Sequence, residues 1–499
     1  MSSDYERERT VLFRHEGHAK PRTRRQFLGQ GLVAGAALVM SPSLLGLLRG
    51  EARAQALDCG LATGGGKIPF LCFDLAGGAS VAGSNVLVGG PGGQLDFLSN
   101  DGYLKLGLPA DMAPMQPGQI NTELGLAFHA DSAFLRGIVS KTSAATRANV
   151  NGAVLCARSD NDTGNNPHNP MYGLNRAGAG GDLVPLVGTR SSESGGRSRA
   201  PMSMIDPTAR PTKVDRPSDA RGLVDTGKLV ELLDQADAGA VMSAMESISE
   251  RKLGKMGEEQ AVEDGIRCAL AESTNLVANF GNPEALDPTR DPEIVGAGGS
   301  IFSAQELDRG DFRKTASVMK LVVPGFAGAG TIEFGGYDYH NSTRATGEIK
   351  DFTAGQAMGA ALEYASRLGQ QLMLYVFSDG SVACNGEIDD SADGRGKGIW
   401  KSDNSGTAAA FFLVHDPNGR PALTAPTQQQ MGYFRPTGSN ETSATRISNN
   451  VVALAEAVVL NYLALHGEVG RLDQVLPEHV LGNGAERDAL VAFQPIRSS

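Results

Sequence analysis

The chain is short of cysteine and of basic charge, and each shortage excludes a class of protein. Five cysteines are spread over 499 residues, at Cys59, Cys72, Cys156, Cys268 and Cys384, with no C-x-x-C pair. A zinc ribbon and a thioredoxin-type dithiol are therefore excluded. The odd number leaves at least one thiol without a partner in the chain, and buried thiols are expected. Lys and Arg number 45 against 56 Asp and Glu, a net charge of −11, which opposes a nucleic-acid or anionic-membrane partner. There is no G-x-S-x-G elbow, which removes the usual α/β-hydrolase nucleophile. Gly64-Gly65-Gly66-Lys67 precedes a strand pattern instead of opening a helix, so it is not a phosphate-binding P-loop. No internal repeat is visible, and beyond the first 56 residues no apolar run approaches the ~20 residues that span a bilayer.

What is present begins with an address. Thr23-Arg24-Arg25-Gln26-Phe27-Leu28-Gly29 is a twin-arginine pattern. It is followed by a Gly/Ala-rich apolar stretch, Gly31 to Leu48, broken at Pro42, and by Ala54-Gln55-Ala56, the small-x-small pattern of a peptidase site. Residues 1–56 are thus expected to be a twin-arginine signal peptide, with the translocation machinery as partner and the periplasm or the outside as destination. Asp58 before Cys59 excludes a lipoprotein site. The expected mature part, 57–499, carries a net charge of −15 once the leader's nine basic and five acidic residues are removed. Export in the folded state also suits a protein that acquires a cofactor or metal first.

Along the mature part, apolar runs at 68–75, 150–157, 317–323, 331–339, 371–377 and 407–414 read as strands. Residues 127–139, 352–368 and 451–466 read as helices, the last capped by Asn449 or Asn450. Thr189 to Arg221, rich in Ser, Arg, Gly and Pro, reads as a long flexible surface loop, and residues 223–280 as a helical insertion. Alternating strands and helices with short joints imply an α/β three-layer sandwich, with a mainly parallel central sheet and helices on both faces. Chemistry in such sheets gathers beyond the carboxyl ends of the strands.

The side chains expected there are few. Asp338 and His340, two apart on an extended segment, point the same way and can share an ion; a Gly-Gly turn with a structural acid and a surface imidazole is the plainer alternative. Asp379, after a buried strand, suits a ligand or a turn cap. Asp74 and Ser80 flank a Gly-Gly turn, where Ser80 could be a nucleophile if a base or metal ionised it; Ser84 competes for that role. Asp160, Asn161, Asp162 and His168 lie in a polar loop after a second buried strand. His129, His415 and His466 carry weaker signals.

The order of these pieces resembles a family of exported bacterial proteins related to the alkaline phosphatase and sulfatase superfamily. Gly77-Gly78-Ala79-Ser80 stands where the family has its first glycine turn, and Gly335-Gly336-Tyr337-Asp338-Tyr339-His340 where it has G-G-W-D-T-H. Ser378-Asp379-Gly380-Ser381 stands where it has S-E-F-G-R. The likeness spans most of residues 68–480. It implies an alkaline-phosphatase-like fold and a divalent-metal site for ester hydrolysis, with Asp338, His340, Asp379, Asp403 and His168 as metal ligands, Ser80 as nucleophile and Asp74 as supporting carboxylate. The departures are specific. The family's G-x-D-H-G is here Ser402-Asp403-Asn404-Ser405-Gly406, so Asn404 replaces an imidazole, and the Arg that follows the second acid motif is absent. Fewer imidazoles weaken a zinc site and leave magnesium, calcium or manganese as alternatives. A non-catalytic envelope binding or assembly protein that keeps the fold is the competing expectation.

Overall fold

A computed structural model describes residues 66–159, 165–224, 283–296 and 299–497, with Ala244 and Ile248. The chain divides into two units: residues 55–225 with 282–499, and residues 1–54 with 226–281. The expected signal peptide, the acidic pair Asp160 and Asp162, and nearly all of the expected helical insertion lie outside the described residues.

The centre of the larger unit is an eight-stranded sheet. In chain order the strands are β1 (Phe70–Gly77), β2 (Val150–Leu155), β3 (Val184–Gly188), β4 (Thr212–Lys213), β5 (Ala327–Tyr337), β6 (Leu372–Ser378), then, after a hairpin, β9 (Ala410–His415) and β10 (Gln430–Met431). The hairpin is β7 (Val382–Asp389) with β8 (Lys397–Asp403). The spatial order in the sheet is β10-β2-β9-β6-β1-β5-β3-β4. Every neighbouring pair is parallel except those made by β9, which runs against both β2 and β6. The mainly parallel α/β sheet expected from the sequence is present.

β1 and β6 are buried along their whole length, as strands covered on both faces must be. On one face Phe70, Tyr375 and Phe412 pack with helix α5 (Val451–Leu465) and helix α2 (Met171–Arg176). The rings of Phe70 and Tyr462 meet edge to face, with centroids 6.1 Å apart. On the other face lie α1 (Ala133–Lys141), α3 (Gly310–Val322) and α4 (Ala345–Arg367). Gly137, Gly355 and Gly359 let α1 and α4 touch backbone to backbone, since a Cβ on Gly355 would sit 2.2 Å from the Phe134 carbonyl oxygen. Among the described residues no helix is long and apolar enough to cross a membrane.

Three expectations are corrected. Ser317–Val323 is not a strand but the end of α3, whose buried Phe312, Ala316, Met319 and Val323 recur at helical spacing. The helix expected at 127–139 starts later, at Ala133, because Ser132 caps it and Phe128–His129 form a short strand pair with Ile120–Asn121. The stretch 189–221, expected as a loop, carries β4 and a short helix (Pro217–Gly222) and buries Ala200, Met204, Val214 and Ala220. Cys72, Cys156 and Cys384 are buried free thiols, and burial raises all three pKa values.

Candidate metal centre

The carboxyl ends of β1, β5 and β6 lie side by side, and the turns that follow them are locked together by backbone contacts. Gly77 has φ +138°, and a Cβ there would lie 2.2 Å from the Asp338 nitrogen. Only glycine permits that approach of β1 to the end of β5. Gly78 N–H donates to the Tyr337 carbonyl at 3.1 Å, and Ala79 N–H to Ser378 Oγ at 2.9 Å. Asn404, just past β8, donates its N–H to the Ser381 carbonyl at 2.8 Å. The Ser80 turn, the Asp338–His340 segment, the Asp379 turn and the end of the hairpin thus border one another.

The segment after β5 keeps its two-residue alternation. Tyr337 and Tyr339 point inward and are buried, while Asp338 and His340 point outward. Asp403, the last residue of β8, reaches the same place. His340 Nδ1 lies 2.5 Å from Asp338 Oδ1 and 2.9 Å from Asp403 Oδ1. Neither approach has the alignment of a hydrogen bond, and Nδ1 is enclosed without a hydrogen-bond partner. One imidazole nitrogen and two carboxylate oxygens therefore converge within 4.8 Å of one another. They form the one such group of three or more metal-type ligands among the described residues. A nitrogen and two hard oxygens fit zinc or manganese, and the nitrogen makes magnesium or calcium the poorer match.

The other expected residues occupy different environments. Asp379 is fully buried, and its Oδ1 accepts from Gly77 N–H at 2.8 Å. It ties two strand ends together and is not a member of the converging group, whereas Asp403, also implied as a ligand by the resemblance, is. Asp74 is fully buried and accepts from Arg197 N–H (2.7 Å), Ser198 N–H (2.9 Å) and Ser198 Oγ–H (3.2 Å). Burial, reinforced by the charge of Asp379, pushes its pKa up to about 7. Its hydrogen bonds hold the Arg197–Ser198 segment against β1. His168 is buried and stacked on Phe377, with centroids 5.5 Å apart, and neither ring nitrogen has a hydrogen-bond partner. Burial lowers its pKa to about 3, so it is neutral. It too lies outside the group of three.

Ser80 is 3 % exposed, and its Oγ is 3.4 Å from Ser84 Oγ. Its N–H donates to Tyr339 Oη at 2.7 Å, and Tyr339 donates to Asp351 at 3.1 Å. Asn85 donates both to the Ser80 carbonyl (2.7 Å) and to Asp351 Oδ2 (2.8 Å). Asp351 is buried, and that burial lifts its pKa to about 7. The tyrosine between the two candidate ligands thus fixes the serine turn from below.

A second support holds Asp403 opposite His340. Thr343 and Trp400 form an antiparallel bridge, with Trp400 N–H donating to the Thr343 carbonyl at 3.2 Å. Arg344 lies over the buried Trp400 ring at 4.6 Å and pairs with Glu348 at 2.7 Å. Glu348 also takes Lys397 (2.8 Å) at the start of β8, and Arg136 from α1 (2.5 Å). Burial alone would raise the Glu348 pKa, but Arg344 and Lys397 outweigh it and hold it below its ordinary value. Sequence reasoning missed Tyr339, Trp400 and this charge cluster. The one local signal was the i, i+4 spacing of Arg344 and Glu348 on one helix. No family model, no curated protein and no solved structure matches this chain.

Proposed function

We propose that the chain is an exported, metal-assisted hydrolase of phosphate or sulfate esters, a divergent relative of the alkaline phosphatase and sulfatase superfamily. The observation that carries this reading is the convergence of Asp338, His340 and Asp403 at the carboxyl end of a mainly parallel sheet, beside the glycine turn that bears Ser80. The order of the sequence motifs supports it, and the twin-arginine pattern supports periplasmic or secreted residence.

Asp338, His340 and Asp403 would hold the ion. A divalent cation there supplies Lewis-acid polarisation of an ester oxygen and favours the ionised form of a nearby hydroxyl or water. The chain's own part is positional. Tyr339 and Asn85 fix the Ser80 backbone, the Thr343–Trp400 bridge fixes Asp403, and the two acids neutralise cationic charge at the site. Ser80 is the candidate nucleophile. The test is elemental analysis of the purified protein together with turnover of an aryl phosphate and an aryl sulfate. Metal uptake and turnover that both vanish in Asp403→Asn support the reading; a metal-free, inactive wild type rejects it.

One observation favours a second reading, a non-catalytic binding or assembly protein of the envelope. Ser80 is almost fully covered and its hydroxyl faces another serine, while Asn404 stands where the related family has an imidazole. Metal uptake without turnover on either ester would select that reading.

A further inference from the structure

The chain is acidic, yet four exposed arginines follow two other strands of the sheet that carries the candidate site. Arg158 follows β2, and Arg190, Arg197 and Arg199 follow β3; all four are exposed. Arg190 is engaged by Glu333 at 3.3 Å. Arg158 Nε donates to Ser405 Oγ at 3.1 Å, two residues from Asp403. Among the described residues, the guanidinium groups of Arg197 and Arg199 form no ion pair or hydrogen bond with the protein. Exposed Arg210 and Arg313 are likewise unpaired among the described residues, whereas exposed Arg216, Arg290, Arg435 and Arg446 pair with acids.

A chain of contacts links the segments that carry these arginines to the segment that carries Asp403. Arg199 N–H donates to the Asn166 carbonyl at 3.1 Å, and the Asn166 side chain donates to the Asp379 carbonyl at 2.5 Å. Two residues on, Ser381 accepts from Asn404, the neighbour of Asp403. Arg197 is anchored by its N–H on Asp74, within β1. The arginine loops and the candidate ligands therefore flank the same turn, Asp379–Ser381. We propose that Arg158, Arg197 and Arg199 form an anion subsite, and that the natural ligand carries at least two tetrahedral oxyanion groups, one for the cation that the acid–imidazole group would hold and one for the arginines. Planar guanidinium forks match phosphate and sulfate oxygens in pairs of hydrogen bonds. The net negative charge of the rest of the surface disfavours a long polyanion, so a small molecule or short oligomer is the fitting ligand. The subsite rests on the ester-hydrolase reading only for the role of the first group.

The test is calorimetric binding of two multiply charged probes, sucrose octasulfate and fructose 1,6-bisphosphate, against the singly charged methyl sulfate and fructose 6-phosphate. Wild type is expected to prefer each multiply charged probe over its control. Arg197→Gln with Arg199→Gln, and separately Arg158→Gln, are expected to weaken the multiply charged probes about tenfold, the scale of one charge-assisted hydrogen bond. The control, Arg290→Gln with Arg446→Gln, removes two exposed arginines elsewhere and is expected to change affinity less than about twofold. Equal losses in both double variants, or a wild type indifferent to the second charge, overturn the subsite. A preference for only one of the two probes identifies sulfate or phosphate as the group recognised. Asp403→Asn separates the two ideas: lost turnover with retained arginine-dependent binding keeps the subsite whatever becomes of the hydrolase. All the substituted positions are exposed, so unchanged thermal unfolding verifies folding in every variant.

Discussion

Two sets of acids surround the same strand ends, and the protein treats them oppositely. Asp74, Asp351, Asp379 and Glu348 are buried and engaged by the fold itself: three donors on Asp74, Asn85 and Tyr339 on Asp351, the Gly77 amide on Asp379, and three cations on Glu348. Asp338 and Asp403 are half exposed and face an imidazole nitrogen that has no hydrogen-bond partner. The first set is engaged by the scaffold, and the second holds the ion in the proposed reading. Burial alone, which often marks functional acids, selects the other set from the one the proposed reading uses.

The sharpest way to break this comparison is to remove a scaffold acid. Glu348→Ala leaves Lys397, fully buried, and Arg344, 2 % exposed, without their shared counter-charge. A loss of roughly 3–5 kcal/mol is expected in urea unfolding, and Asp403 is expected to lose its position with the hairpin. A loss under about 1 kcal/mol would show that the cluster is not what holds the hairpin.

Asp74→Asn is expected to act in the other direction. In the folded chain Asp74 holds its proton up to about pH 7, whereas the ordinary value is 3.8. Between those values the unfolded chain releases its proton first, so this group's contribution to stability falls as pH rises and is flat above about 7. The asparagine variant should gain on wild type by roughly 3–4 kcal/mol between about pH 4 and about pH 7, at ~1.4 kcal/mol per pKa unit. Buried His168, with its pKa lowered to about 3, contributes the opposite slope, lost below its ordinary 6.5, but equally in both proteins. A pH-independent difference would contradict the assignment of Asp74 as a buried, protonated scaffold acid.

Smaller effects follow nearer the site. Tyr339→Phe deprives the buried Ser80 N–H of its acceptor and should cost about 1–3 kcal/mol, with any ester turnover falling alongside. His340→Ala and Asp403→Asn should change metal-free stability by no more than about 1 kcal/mol, because their contacts are partly solvated. A large loss in either would return them to the scaffold set.

How much of this the sequence disclosed depends on the range of the interactions. β1, β6 and α5 were legible from their apolar runs and the asparagine cap, since Asn450 accepts from Ala453 N–H as a local motif does. Asp338 and His340 were legible because a period of two is local. Their convergence with Asp403 was implied only by the resemblance, because it depends on the hairpin 382–403 turning back onto Thr343, and no local pattern encodes that bridge. The Ser317–Val323 error has a similar origin: seven mostly apolar residues fit a buried strand or a buried helix equally, and only the upstream Phe312 sets the helical phase. The buried Lys397–Glu348 pair, separated by 49 positions, left no sequence signal at all.

The most direct test of the central claim is the metal content of three proteins after equilibration with zinc and with manganese and removal of loosely held ion: wild type, Asp403→Asn and Asp74→Asn. The expected result is one firmly bound ion in wild type and in Asp74→Asn, and none in Asp403→Asn. Retention of the ion by Asp403→Asn together with its loss in Asp74→Asn would contradict the division between scaffold acids and ligand acids.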